Sequence, residues 1–138
     1  IGGVAGHSHK YFKRGENGYF TRLRIAQDLS ACTAACLMMP KTVFDEVGGL
    51  DEEFKVAFND VDLCMKIRQK NYLIVFTPYA ELYHYESKSR GQEDTPEKIK
   101  RFQGEIQRFF DKWKPELDKG EPYYNPNLTL EHENFSMK

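Results

Sequence analysis

Phe58-Asn59-Asp60-Val61-Asp62-Leu63 sets two carboxylates two residues apart, just ahead of an apolar run with helical spacing. Two kinds of work suit such a pair. A carboxylate at the first turn of a helix caps free backbone N–H groups and lies at the favourable end of the helix dipole. A cap is also held rigidly, which suits a general base. A base needs a pKa near the working pH, so partial burial must oppose the lowering by the helix dipole. Spacing alone leaves both accounts open. The second feature is Leu82-Tyr83-His84-Tyr85-Glu86-Ser87. A histidine at the end of a short apolar run is either a packed, hydrogen-bonded residue or a ligand for a Mn-like or Zn-like ion.

Cys32, Cys36 and Cys64 are an odd number of cysteines without framework spacing. They fit a reducing, cytoplasmic setting rather than a disulfide scaffold. With His7 and His9, the Cys32–Cys36 spacing could build a structural zinc site. The better account is free cysteine as a small core hydrophobe, because both lie in Ala31-Cys32-Thr33-Ala34-Ala35-Cys36-Leu37-Met38-Met39.

Elements must hold these residues in place. The run 31–39, closed by Pro40, predicts a buried central strand. Val43, Phe44 and Val47 share one face of a helix over Lys41–Val47, with Gly48-Gly49 as its stop. Asn59-Asp60 opens a helix over about 61–70 that carries Val61, Cys64, Ile67 and Arg68 on one side, and Asn71 is its expected C-cap. Tyr72–Phe76 reads as a strand closed by Thr77-Pro78, and Ala80–Tyr85 as a further short strand. Residues 86–94 are a polar loop. Thr95-Pro96 then starts a helix over 95–113, on which Ile99, Phe102, Ile106, Phe109, Phe110 and Trp113 repeat with helical period until Pro115 ends it. The expected class is α/β, a small mixed sheet from 31–39, 72–76 and 80–85 with flanking helices. Residues 1–29 form a loop-rich lead-in with a short helix near Tyr19–Ala26. Residues 30–94 form the core, and 95–138 the amphipathic helix and an irregular tail.

Composition excludes some functions. The net charge is −1, which leaves no basic surplus against a phosphate backbone, so nucleic acid is not the expected partner. There is no run of 18 apolar residues, hence no transmembrane segment is expected. Ile1–Gly6 is apolar but too short for a signal peptide. With no initiator Met, the start reads as a cut inside a longer chain. Eight Tyr, ten Phe and one Trp supply either a ring-rich core or rings facing a sugar or a partner.

The stretch Ser30–Phe54, Ser-Ala-Cys-Thr-Ala-Ala-Cys-Leu-Met-Met-Pro-Lys-Thr-Val-Phe-Asp-Glu-Val-Gly-Gly-Leu-Asp-Glu-Glu-Phe, resembles the middle of a family-two glycosyltransferase of the GT-A fold. The order that follows strengthens the resemblance: Asn59-Asp60, Val61-Asp62-Leu63, a helix with Arg68, and Thr77-Pro78. Then come His84, Glu86 and Ser87, then Ser89-Arg90-Gly91, and a late Pro122-Tyr123-Tyr124-Asn125-Pro126-Asn127. It covers roughly residues 30–130. The resemblance implies an inverting transfer from a nucleotide-diphospho-sugar donor to a glycan or lipid-linked acceptor. The setting would be bacterial-type polysaccharide or cell-surface glycan assembly, in the cytoplasm or at the inner face of the cell membrane. It makes Asp60 the catalytic base, with Asn59 in place of the more frequent Glu, and Asp62 a structural residue in the vicinity of the acceptor site. It makes His84 a ligand of a divalent Mn or Mg ion, and Glu86, Ser87, Ser89 and Arg90 part of a loop over the donor diphosphate. The departure is that no βαβ units precede residue 30, and the only Asp-x-Asp is Asp60-Val61-Asp62. The resemblance therefore implies the C-terminal, acceptor-side half of the fold. The missing N-terminal half of the same chain would then be a partner, and the isolated piece would be inactive with no metal bound.

Two further expectations follow. Asp60 and His84 should share one rim of the sheet, on the order of 6–12 Å apart, leaving room for a sugar ring. A half-fold leaves an uncovered apolar face, which favours self-association. A different class stays open: a non-catalytic, glycosyltransferase-like interaction or scaffold module of a larger protein.

Overall fold

In the computed structural model, residues 5–85 and 95–138 are described. Their elements, in chain order, are β1 (Gln27–Leu29), α1 (Lys41–Glu46), α2 (Asn59–Gln69), β2 (Ile74–Phe76) and α3 (Pro96–Leu117). Single 3₁₀ turns lie at Tyr19–Thr21 and Ala34–Cys36. The class is mixed α/β, as the alternation of short apolar runs and helical periods predicts. β1 and β2 pair antiparallel, with Gln27 opposite Phe76, Asp28 opposite Val75 and Leu29 opposite Ile74.

The helices form where local chemistry starts and stops them. Gly48 and Gly49 follow α1 at φ 76° and 65°. A Cβ on Gly49 would lie 3.0 Å from the Phe44 ring, so the stop needs glycine for space as well as for φ. Asn71 follows α2 at φ 63°, a conformation its short polar side chain tolerates, and Lys70 takes the C-cap. At α3, the Thr95 hydroxyl accepts from Lys98 N at 3.3 Å and Pro96 fills the first turn.

Several expected elements are corrected. Residues 31–39 are not a buried strand. The Thr33 hydroxyl accepts from Ala35 N at 3.3 Å and bends the run into the 3₁₀ turn. Met38 is 95% exposed, and Cys36 is exposed. The partner of β2 is instead Gln27-Asp28-Leu29. Ala80–Tyr85 has no ladder partner and is not a strand; Leu82, Tyr83 and Tyr85 are exposed. The sheet is thus two-stranded and antiparallel, not mixed. The helix expected over Tyr19–Ala26 is one turn, with Phe20 and Thr21 at φ 46° and 64°. Pro115 does not end α3, which runs on to Leu117. The missing N–H of Pro115 frees the carbonyl of exposed Asp111, four residues back, where water can take the bond.

α2 is the centre of the packing. Leu63, Cys64 and Ile67 bury one side of it against Ile74, with Leu37, Val43 and Phe44 around them. Met65 faces the other way, into a cluster with Phe54 and with Phe109 and Trp113 of α3. Each fully buried side chain of this size contributes roughly 1.5–3 kcal/mol. A separate aromatic group joins the lead-in to the tail: Phe135 stacks on Tyr19 at 5.0 Å and lies 4.4 Å from His9 and 5.2 Å from Tyr124. His9 N donates to Glu133 O across the same junction at 3.0 Å.

Candidate functional site

The first turn of α2 carries the acidic motif. Phe58 stands just before it in the left-handed region, φ 66° and ψ 1°, uncommon for a bulky residue. Asn59 Oδ1 then accepts from Asp60 N at 2.7 Å, and Asp60 Oδ1 from Val61 N at 2.9 Å. Phe58 O accepts from Asp62 N at 2.8 Å. Asp60 Oδ2 reaches out of the helix to accept from Ala34 N at 3.1 Å. The half-buried Asp60 carboxylate is therefore tied at one oxygen to α2 and at the other to the 34–36 turn. Each oxygen keeps a lone pair for one further donor, such as a hydroxyl.

Asp62 is a different kind of acid. It is 0% exposed. Its Oδ1 accepts from Trp113 Nε1 at 2.9 Å and lies 2.7 Å from Lys112 Nζ, and its Oδ2 lies 3.4 Å from Lys66 Nζ. Lys112 also meets Asp51 at 2.7 Å. Burial works against the Lys112 charge, but the bonds to Asp51 and Asp62 outweigh it and hold Lys112 above the usual lysine value. The bond from Lys112, with that from the Glu53 backbone, holds Asp51 below the usual carboxylate range. Asp62 thus joins α2 to α3, and no face of it meets solvent. It is a buried strut two residues from Asp60.

His84 lies in the exposed stretch after β2, and no hydrogen bond or ion pair links it to Asp60 among the described residues. The expected loop residues Glu86, Ser87, Ser89 and Arg90 lie outside the described residues. Among those described, no three His, Cys, Asp or Glu side chains converge as a metal centre would require. His9 is buried among rings, its Nε2 accepting from Tyr19 N at 3.1 Å. Cys64 Sγ instead lies 3.7 Å from Cys32 O. The hydrogen bond to Cys64, then burial, then the charges of Cys64 and Asp60 hold the Cys32 thiol far above the usual thiol range.

A groove of about 690 Å³ opens at the carboxyl end of β2, lined in part by Lys13, Arg14, Arg24, Phe76 and Leu82. Arg24 donates to Gly15 O at 2.7 Å, and Arg14 pairs with Glu81. Lys10–Arg14 is a basic and aromatic run within the lead-in. Its signal was charge alternating with rings, but its facing partner at 76–82 is brought in only by the fold.

The chain is 36% identical over 99 residues to the O-antigen biosynthesis protein RfbC of Myxococcus xanthus, covering 71% of this chain and 7% of that protein. It is 33% identical over 61 residues to the N-acetylglucosaminyl-diphospho-decaprenol L-rhamnosyltransferase of Mycobacterium tuberculosis, covering 44% of this chain and 20% of that one. The chain is similar to a glycosyltransferase. Over nearly its whole length the chain is also 53% identical to an uncharacterized protein, y4gI, of Sinorhizobium fredii, of which it covers 15%. It spans about a fifth or less of the length of the curated relatives it matches. No protein-family model matches it, and no solved structure matches it. Among the described residues, no helix is long and apolar enough to cross a membrane.

Proposed function

We propose that this chain is the acceptor-side part of an inverting glycosyltransferase of the GT-A type, working in cell-surface glycan assembly with a nucleotide-diphospho-sugar donor. The observation that carries the reading is the Asp60 carboxylate, fixed at both oxygens yet with a lone pair left on each for a further hydrogen bond. An acceptor hydroxyl aimed at it loses its proton to Asp60 as the oxygen attacks the anomeric carbon. The bond from that carbon to the donor diphosphate breaks on the opposite face, which inverts the centre. One carboxylate suffices, whereas hydrolysis of glycosides takes a flanking pair. The names of the relatives support transfer of a sugar.

A divalent Mn or Mg ion belongs to this reading only with ligands beyond the described residues, since His84 alone does not make a site. No step here depends on it. In the full protein, Asp60→Asn should lower turnover at least ~100-fold, the lower range for general acid–base catalysis. Unchanged sugar transfer by that variant sinks the reading. It would favour the second one, a non-catalytic interaction module, for which the same two hydrogen bonds of Asp60 serve to brace the first turn of α2 and tie it to the 34–36 turn.

A further inference from the structure

α3 carries one acid on its apolar face. Glu105 lies between Phe102 and Phe109 at spacing i+3 and i+4, and it is 3% exposed. Burying a carboxylate is costly unless its lone pairs are filled. Here both oxygens are filled from one place. Oε1 accepts from Val56 N at 3.0 Å and Oε2 from Ala57 N at 3.1 Å. Arg101 Nε lies 3.7 Å from Oε2, one turn back on the same helix.

Those amides belong to the residues immediately ahead of α2. Ala57 is followed by Phe58 in its left-handed conformation, then Asn59 and Asp60. The same face of α3 holds Phe58 itself, stacked on Phe102 at 5.7 Å and against Phe109 at 5.5 Å. Arg108 Nη1 donates to Glu53 O at 2.8 Å, closing the front of the loop. A bulky residue persists at positive φ only where its surroundings over-determine it. Two charge-assisted bonds to successive amides and two ring contacts supply that determination.

We infer that Glu105 is a positioning residue. Through the Val56 and Ala57 amides it fixes the turn at Phe58, and so the direction in which α2 presents the Asp60 carboxylate. The inference rests on the reading of Asp60 as the base, because Glu105 touches no reacting atom and acts only through that residue. Its carboxylate form matters. In Glu105→Gln one oxygen still accepts, but the NH₂ faces a backbone N–H and cannot bond to it. In Glu105→Leu neither amide has a partner.

The test uses the full protein and two readouts. In hydrogen exchange, Glu105→Gln should speed exchange about tenfold or more, the worth of one lost bond, at whichever of the Val56 and Ala57 amides faces the new NH₂, and Glu105→Leu at both, with Phe109 and Trp113 amides unchanged. In sugar transfer, kcat should fall about tenfold for Glu105→Gln and further for Glu105→Leu, while KM moves less than about threefold, since small misplacements of a catalytic group are costly. Combined with Asp60→Asn, Glu105→Gln should lower kcat no further, because the group it aims is already gone. Unchanged exchange at Val56 and Ala57, full kcat in both Glu105 variants, or multiplying effects in the double variant overturns the inference. If Asp60→Asn keeps its turnover, the base assignment falls and the catalytic part of the inference with it. Exchange at Val56 and Ala57 then still decides whether Glu105 holds the loop.

Discussion

Two aspartates that differ by two positions should separate stability from chemistry. Asp62→Ala removes the acceptor of the buried Trp113 N–H and one of the two carboxylates that hold Lys112. Breaking a buried ion pair by deleting one partner costs about 3–5 kcal/mol. Lys112 keeps Asp51 at 2.7 Å and is partly exposed, which puts the expected cost at the lower end, about 3 kcal/mol. The orphaned indole N–H alone accounts for about 1–3 kcal/mol of that. Trp113 is the single tryptophan, so its fluorescence reports on the bond being cut. In urea, with a slope of about 2 kcal/mol/M, the unfolding midpoint should drop by about 1.5 M. The pairing of Asp62 with Trp113→Phe in a double-mutant cycle should show a coupling of about 1–3 kcal/mol. Asp60→Asn, which keeps an oxygen for Val61 N, should cost only about 1 kcal/mol. A midpoint shift under about 0.5 M for Asp62→Ala, or a larger loss for Asp60→Asn, refutes the division of labour.

Other outcomes follow from the same structure. Burial, and then the Arg22 charge, hold the His9 pKa below its ordinary value of 6.5, so His9 is stabilising when neutral. The unfolded chain binds the proton first, and stability should therefore be full above about pH 6.5 and decline as pH falls below it, until the folded histidine also titrates. His9→Gln should flatten that decline in urea midpoints taken across pH, and an unaltered slope counts against it. Among the thiols, exposed Cys36 should be alkylated by iodoacetamide well before buried Cys64 or the proton-retaining Cys32, as peptide mapping would show. Gly49→Ala should cost more than about 1 kcal/mol, because φ is 65° and the new methyl would meet the Phe44 ring at 3.0 Å; a neutral result in urea contradicts that contact. With Leu73, Val75, Leu82 and Tyr83 exposed around β2, we expect the chain by itself to self-associate, and sedimentation showing only monomer at high concentration would refute this.

The helices were legible because each carries its own punctuation: Gly48-Gly49 after α1, Asn71 after α2, Thr95-Pro96 before α3. The strands were not. β1 is Gln27-Asp28-Leu29, three residues without an apolar run, and it exists because it pairs with Ile74–Phe76. The apolar run at 31–39 looked like the better strand, yet one hydroxyl, Thr33, turns it. At the site, the acidic pair was visible, but nothing in its spacing tells which acid is buried. That depends on Trp113 and Lys112, about fifty residues on. Glu105 could have been flagged, since an acid in the stripe Phe102, Phe109, Trp113 demands a partner on the opposing surface. The amides that answer it belong to a loop, and loops carry no period.

The bonds of α3 to the segment 51–62 are all non-covalent and span forty-eight or more residues of sequence. The tail beyond α3 adds a second attachment, at His9 and Tyr19. A chain split between β2 and α3 therefore yields two pieces with complementary surfaces, one bearing the acidic turn and the other the helix that shapes it. Mixing them would return Trp113 to Asp62 and give a fluorescence signal for reassembly. It makes α3 a removable key: the turn around Asp60 can be assembled or dismantled on demand without altering a residue within it.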